Sequence, residues 1–403
     1  MEQLLENAKK IQTNLVKIRR FLHQNAETGF DLPKTLAFVE ENLLKMGYTP
    51  QRCGKAGIVA TLQPSSPRQR QNKAILLRAD MDALPIKEAT GQPFACKTGK
   101  MHACGHDMHT AMLLGAAHLL KTRQAGVTRP IKFLFQPAEE MLEGAKDVLK
   151  GGILETPEVG SAVMIHVLTD VPLPTGTIVV SAEGVGAPAA DYFTITVKGK
   201  GCHGSAPQNG VDALTAAAHI LIALQEISAR ELSPAQKAVL TVGSMETGGA
   251  GNVIPDKVTM RGTLRAFDEN VRAQMKERME KISQNVARAF RAKASLSYQG
   301  GCPTLRNDGG MSALSYQILQ KTMKKNAVYL SSQLGGGETE TRSGGSEDFA
   351  YISRRVPSVM LALAAGEPEK GYRFPLHHAK ADFDESVLWK GSFALSAIAL
   401  QKK

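Results

Sequence analysis

Apolar residues at Leu4, Leu5, Ala8, Ile11, Leu15, Ile18 and Leu22 recur every three or four positions, which predicts an amphipathic helix over residues 4–22. The same spacing predicts a second helix over 36–46, closed by Gly47 as a C-cap. A strand is expected at 57–62, then a polar loop at 64–72 resembling a hairpin tip, then an apolar run at 74–78. Residues 110–120 read as a helix, and 132–136 and 162–167 as buried strands. Short apolar runs alternating with helices predict an α/β domain with a largely parallel sheet.

The pattern changes near residue 178. Residues 177–180 and 192–198 alternate apolar and polar, as half-buried strands do. A helix over 213–230 follows, then strands at 239–245 and 257–267, a helix over 269–292 rich in charge pairs four apart, and a strand at 294–299. The order β-α-β-β-α-β is that of a ferredoxin-like unit. From residue 312 the α/β character returns: a helix, a glycine-rich loop over 335–346, a strand over 358–364 and a final helix over 385–401. The predicted architecture is an α/β domain with a mostly parallel sheet, formed by residues 1–178 and 300–403 and interrupted by a smaller α+β domain at 179–299.

Composition narrows the function classes. Hydrophobic residues make up 43% and charged residues 22%, ordinary values for a globular chain. The longest stretches free of acids and of Lys and Arg are 13 residues, at 108–120 and 213–225. A membrane span needs about 20 predominantly apolar residues, so none is expected. The start, MEQLLENAKKIQ, lacks the basic region and apolar core of a signal peptide, and a cytoplasmic protein is expected. The five cysteines are odd in number, scattered and without a CxxC pair, which argues against a disulfide framework. The net charge of +11 is spread over the chain. Nucleic-acid binding would cluster it; spread charge means a solvated surface with mild attraction for small anionic substrates.

The chemistry is concentrated in a few segments. MHACGHDMH at 101–109 brings three histidines, Cys104 and Asp107 together, and Cys104 and His106 are two apart around Gly105. In a reducing compartment such a pair suits zinc, cobalt or manganese; the plain alternative is a buried thiol beside surface histidines. FLFQPAEE at 133–140 ends a buried strand with Glu139 and Glu140, where open α/β sheets place their active sites. Adjacent carboxylates allow one to ligate a metal and the other to move protons. His166 ends another buried strand, RADMDALP at 78–85 puts Asp80 and Asp82 after a third, and His377 and His378 lie in PLHHA. Asp, Cys, His and Glu on successive strand ends of one domain support a dinuclear metal hydrolase.

In this order, RADMDALPI, HACGHD, QPAEE, the distal His166, GKGCHGSAP, NVIPD…GTLR, GSEDFA and LHHA…DFDE resemble the amidohydrolase branch of the co-catalytic metallopeptidase family. That branch includes aminoacylases, hippurate hydrolases and auxin-conjugate hydrolases, and the resemblance spans roughly residues 5–400. It implies hydrolysis of N-acyl-L-amino acids by two divalent metal ions per subunit, Mn2+ or Zn2+ first, Co2+ or Ni2+ as further options. The alternative within the same fold is a dipeptidase or carboxypeptidase. The implied metal ligands are Cys104, bridging as a thiolate, with His106, Glu140, His166 and His377; Glu139 is the implied general base. His377 rather than His378 follows the leucine of the family's L-H-x-P, and Ala379 stands where the proline is usual. Asp80 and Asp82 are implied to support the ligands from behind. The inserted domain is implied to be a lid that also makes a homodimer, with His203 helping to stabilise the oxyanion from either subunit. The family's Gly-Gly-His is here Gly201-Cys202-His203, with Cys202 expected to be inert. Asn252 and Arg265 are candidate contacts to the substrate carboxylate. Neither nucleic acid nor membrane is an expected partner.

Overall fold

The structure, a computed structural model, describes residues 1–323, 327–334 and 345–401. Its core is an eight-stranded sheet. In spatial order the strands are Gln51–Cys53, Gly57–Leu62, Ile131–Gln136, Ala74–Asp80, Val159–Leu168, Ser358–Ala364, Ile178–Val180 and Val328–Leu330. The four central strands run parallel, with Asp80 opposite Gln136 and Ala362 opposite His166. Their C-terminal ends therefore share one edge. All seven residues of Ala74–Asp80 and all six of Ile131–Gln136 are buried, as expected of strands covered on both faces. Helices His106–Lys121 and Leu388–Ala399 pack on this sheet and helix Gln12–Gln24 packs on both of them; Ser392 Oγ of one donates to the Met112 carbonyl of the other at 2.9 Å.

Three local expectations are corrected. The loop at 64–72 is not a hairpin tip, because Ile131–Gln136 inserts between the flanking strands. A strand apolar on both faces gains most from a central position, and that outweighs sequence adjacency. The N-terminal helix is two helices, Glu2–Lys10 and Gln12–Gln24, broken at Ile11. Beside the break, Gln12 donates to the Glu385 carbonyl and accepts from the Trp389 amide, tying the turn to the C-terminal segment. The strand at 178–180 lies in the large sheet, between Ser358–Ala364 and Val328–Leu330, not in the inserted domain. Most of the glycine-rich loop expected at 335–346 falls outside the described residues.

A second compact unit is built on Ala187–Leu305. Its antiparallel sheet has the order Ala238–Glu246, Lys257–Ala266, Ala189–Lys198, Lys293–Cys302, and helices Ala213–Glu226 and Glu269–Ala289 supply most of the remaining core residues. Phe193, Ile195 and Val197 are buried against that core while Tyr192 between them and the previous turn is exposed, the period-two signature the sequence carries. Asp212 and Asp268 cap the two helices through their side chains. Among the described residues, no helix is long and apolar enough to cross a membrane.

Candidate metal centre

The ligand-type side chains converge because three chain reversals occur at the C-terminal edge of the parallel strands. Gly105 has φ +81° and caps helix His106–Lys121, so Cys104 and His106 flank a tight turn. A Cβ at Gly105 would come within 2.4 Å of Val167 Cγ2, which leaves glycine as the residue that fits. After strand Ile131–Gln136, Ala138 and Leu142 take φ +54° and +55°, folding the chain so that Glu139 and Glu140 turn back over the edge. His377 has φ +66°, and its backbone amide donates to the Ala103 carbonyl at 3.0 Å. Non-glycine residues held at positive φ cost stability and concentrate at functional sites.

Two groups of ligand atoms meet at Cys104. Sγ lies 3.6 Å from His166 Nε2 and 3.3 Å from His377 Nε2. Cys104, His106 and His166 form one triad, and Cys104, Glu140 and His377 another, with ligand atoms within 4.8 Å of one another in each. His377 Nε2 is 3.6 Å from Glu140 Oε2, and His106 Nε2 is 3.9 Å from both Glu140 Oε1 and Glu139 Oε2. His378 is turned elsewhere, stacked on Phe374 with ring centroids 4.6 Å apart. His109 is saturated: Nδ1 faces Asp80 Oδ1 at 2.6 Å and Nε2 accepts from the Val167 amide at 2.8 Å.

The donor set fits divalent cations. His106 Nε2 and Glu140 Oε1 are buried polar atoms without a hydrogen-bond partner, a costly arrangement that a cation between them would relieve. Burial raises the Glu140 pKa to about 7 and pushes the Cys104 thiol up, with Glu140 adding to the effect on the thiol. Positive charge beside them would favour the ionised form of both. Burial holds the His166 imidazole neutral, the form that ligates, and its Nδ1 faces the Val167 carbonyl at 2.6 Å.

A further layer fixes these groups. The Asp82 carboxylate accepts from the Glu139 amide at 2.9 Å and the Glu140 amide at 3.2 Å, so it holds both glutamates by their backbone. His106 Nδ1 is 2.8 Å from the Asp82 carbonyl, which orients the ring. Arg78, fully buried, donates to Asp80 at 2.5 Å, Asp348 at 2.8 Å and Gln136 at 3.0 Å. Residues 76–401 match the model of the peptidase family M20/M25/M40. The chain belongs to that family. It is 36% identical over 391 residues to the N-acetyl-L-cysteine deacetylase of Bacillus subtilis, covering 96% of this chain and 88% of that one. Identity to thermostable carboxypeptidase 2 of Saccharolobus solfataricus is 32% over 404 residues, covering 100% and 98%. A solved Bacillus subtilis structure, described as a dinuclear metal binding peptidase from the M20 family, superposes with a TM-score of 0.78 at 30% identity, covering 97% and 98%. As an M20-family member the protein is a metallo-amidohydrolase.

In the second unit of this M20-family chain, His203 is exposed on the short strand Cys202–His203, which pairs with Val253–Ile254. Its Nδ1 accepts from the Ser205 amide at 3.1 Å and lies 2.7 Å from Ser205 Oγ, so the proton of the neutral ring sits on Nε2. The Asn252 carbonyl accepts from the Gly204 amide at 2.7 Å. Arg265 donates to Ser346 Oγ at 2.7 Å, and Cys202 Sγ donates to the Ala206 carbonyl at 3.5 Å.

Sequence reasoning missed a buried ion cluster behind His106. Asp107 accepts from Arg19 at 2.7 Å and faces His23 Nδ1 at 2.9 Å, while His23 Nε2 faces Glu88 at 3.1 Å and Arg19 reaches Glu385 at 3.0 Å. Arg19 and His23 sit at the core face of a predicted helix, and two charged types on an apolar face were the available signal. Burial opposes the charged form of His23, but the hydrogen bonds to Asp107 and Glu88 outweigh it and raise its pKa from 6.5 to about 9. The raised folded-state value means the His23 stabilisation is complete below pH 6.5 and lost as pH rises through about 9. That difference corresponds to a stabilisation on the order of 3 kcal/mol. Denaturant melts from pH 6 to 10 are expected to show this loss in the wild type and a flatter profile in His23→Gln.

Proposed function

We propose that the chain hydrolyses N-acyl-L-amino acids, with N-acetyl, N-benzoyl or similar acyl groups, to a carboxylate and a free amino acid in the cytoplasm. The carrying observation is the pair of ligand triads sharing Cys104, with the Glu139 carboxylate beside them. Cys104, His106, Glu140, His166 and His377 would hold two divalent ions, Mn2+ or Zn2+ first and Co2+ or Ni2+ as further options. When bound, such ions polarise an amide carbonyl and acidify water. Glu139 accepts the proton of the attacking water and delivers it to the departing amine. Asp82 keeps Glu139 in place through its backbone amide. His203, with its proton on Nε2, donates to the developing oxyanion, and Asn252 and Arg265 bind the substrate carboxylate. Five free thiols fit a reducing compartment.

Removing one oxyanion donor typically costs 10²–10³ in rate, so His203→Ala should lower kcat by about that factor. Ser205→Ala should lower it less, since the Ser205 amide still fixes the tautomer. Steady-state kinetics of the two variants tests the ordering. The second unit would also carry a homodimer contact. Leu214 and Ile222 are 41% and 68% exposed on helix Ala213–Glu226, and Val239 is 58% exposed on the edge strand. Ile222→Asp with Val239→Asp is expected to turn a dimer into a monomer in sedimentation velocity.

The likeness to a carboxypeptidase supports one second reading, a peptide in place of the acyl-amino acid. Amino-acid release from N-acyl amino acids and dipeptides, using chelator-stripped protein with Mn2+, Zn2+, Co2+ or Ni2+ restored, separates the two. Metal-dependent turnover of the acyl series alone supports the proposal; turnover of dipeptides alone replaces it with the peptidase reading.

A further inference from the structure

A surface cavity of about 350 Å3 lies at the opposite end of the parallel strands from the metal centre. Ser358, on its wall, begins strand Ser358–Ala364, and four residues later Ala362 stands beside His166. Glu183, Arg306, Asn307, Asp308, Arg354 and Arg355 face the cavity. The Glu183, Arg306, Arg354 and Arg355 side chains are exposed, and no hydrogen bond or ion pair joins their charged groups to another described residue. Opposite charges thus line one cavity without pairing with each other. Asn307 is 1% exposed; its Oδ1 accepts from the Met360 amide at 2.9 Å, and its Nδ2 is buried with no partner. A buried donor without an acceptor is costly, and an acceptor brought into the cavity would relieve it. The helix Gly309–Thr322 starts in the same wall, and a Cβ at Gly309 would come within 2.6 Å of Glu183 Oε2, which puts the carboxylate over the first turn.

We propose that this cavity binds a free α-amino acid, its carboxylate held by the arginines and Asn307 and its ammonium by Glu183. A zwitterion offers both signs of charge that the cavity wall presents, which a plain anion or a plain cation does not. The volume suits a molecule of that size. The identity of the ligand as reaction product rests on the proposed function, and the site would then report product level to the enzyme. A route exists within this unit. Arg354 and Arg355 follow the short helix Ala350–Ser353, and that helix follows Asp348, whose amide donates to Glu139 Oε1 at 3.4 Å. Occupancy at the arginines would therefore bear on the segment that, six residues before Arg354, reaches the proposed base through the Asp348 amide.

Hydrogen exchange on the full chain tests the site without turnover. The probes are the twenty standard L-amino acids, their N-acetyl derivatives, the matching amines without a carboxylate, and inorganic phosphate. At least one free amino acid is expected to slow exchange at 306–312 and 353–358, with its N-acetyl and amine analogues doing so much less. Glu183→Gln, and Arg354→Ala with Arg355→Ala, should each raise the half-protecting concentration at least about tenfold with the melting temperature unchanged. The proposal is overturned if no free amino acid protects these segments. Equal protection by phosphate or by the N-acetyl series, or protection surviving both variants, also overturns it. Protection without hydrolysis of any acyl-amino acid sinks the functional reading and leaves the site standing; hydrolysis without protection does the reverse.

Discussion

Glu139→Gln is expected to lower kcat by about 10²–10⁴-fold, the usual contribution of a positioned proton-transfer group, while bound metal stays unchanged. The substitution is isosteric and removes the ability to accept a proton at neutral pH. The side chain's setting survives, because Asp82 grips the backbone amide at 2.9 Å and the Asp348 amide reaches Oε1 at 3.4 Å. Glu139 stands outside both triads that share Cys104, and lies with His106 and Glu140 in a separate group of ligand-type atoms. Kinetics and elemental analysis of the same preparation check the two halves of the expectation together. Metal loss in this variant, with metal retained in Glu140→Gln, would exchange the roles of the two glutamates.

Cys104→Ser is expected to weaken metal binding at least about 100-fold and to shift preference from Zn2+ towards harder ions such as Mn2+. Cys104 belongs to both triads, so one substitution removes a donor from each prospective ion. Burial and the nearby Glu140 disfavour a bare thiolate, and a cation reverses that balance by ionising the thiol. A serine hydroxyl has no comparable tendency to ionise, and its oxygen is a hard donor. Competition with a chromophoric chelator gives both affinities, and unchanged metal content and activity would remove Cys104 from the ligand set.

The choice between His377 and His378 shows how sequence and structure divide the work. The two are adjacent and chemically identical, and only the motif spacing favours the first. In the structure, a positive φ at His377 carries its ring to Cys104 while His378 stacks on Phe374. Backbone sign at one residue is a tertiary property, because the contact between the His377 amide and the Ala103 carbonyl maintains it. The ion cluster of Arg19, His23, Glu88 and Asp107 was illegible for a related reason. Its members are separated by up to 88 positions, and charged side chains on an apolar helix face carry no label naming their partners. Asp82 was legible as support but not as the clasp on two amides, since backbone donors have no sequence signature.

Local pattern by itself determined the parallel α/β sheet, the inserted β-α-β-β-α-β unit, the strand ends that bear Asp80, Glu139, Glu140 and His166, and the turn at Gly105. These follow from apolar periodicity and from residue types whose conformational preferences act within a few positions. Tertiary structure alone decided that Ile131–Gln136 lies between Gly57–Leu62 and Ala74–Asp80, that Ile178–Val180 joins the large sheet, and that His109 is saturated while His106 keeps an open nitrogen. Strand order and hydrogen-bond saturation depend on which surfaces compete for burial across hundreds of positions, and no local pattern encodes the outcome of that competition.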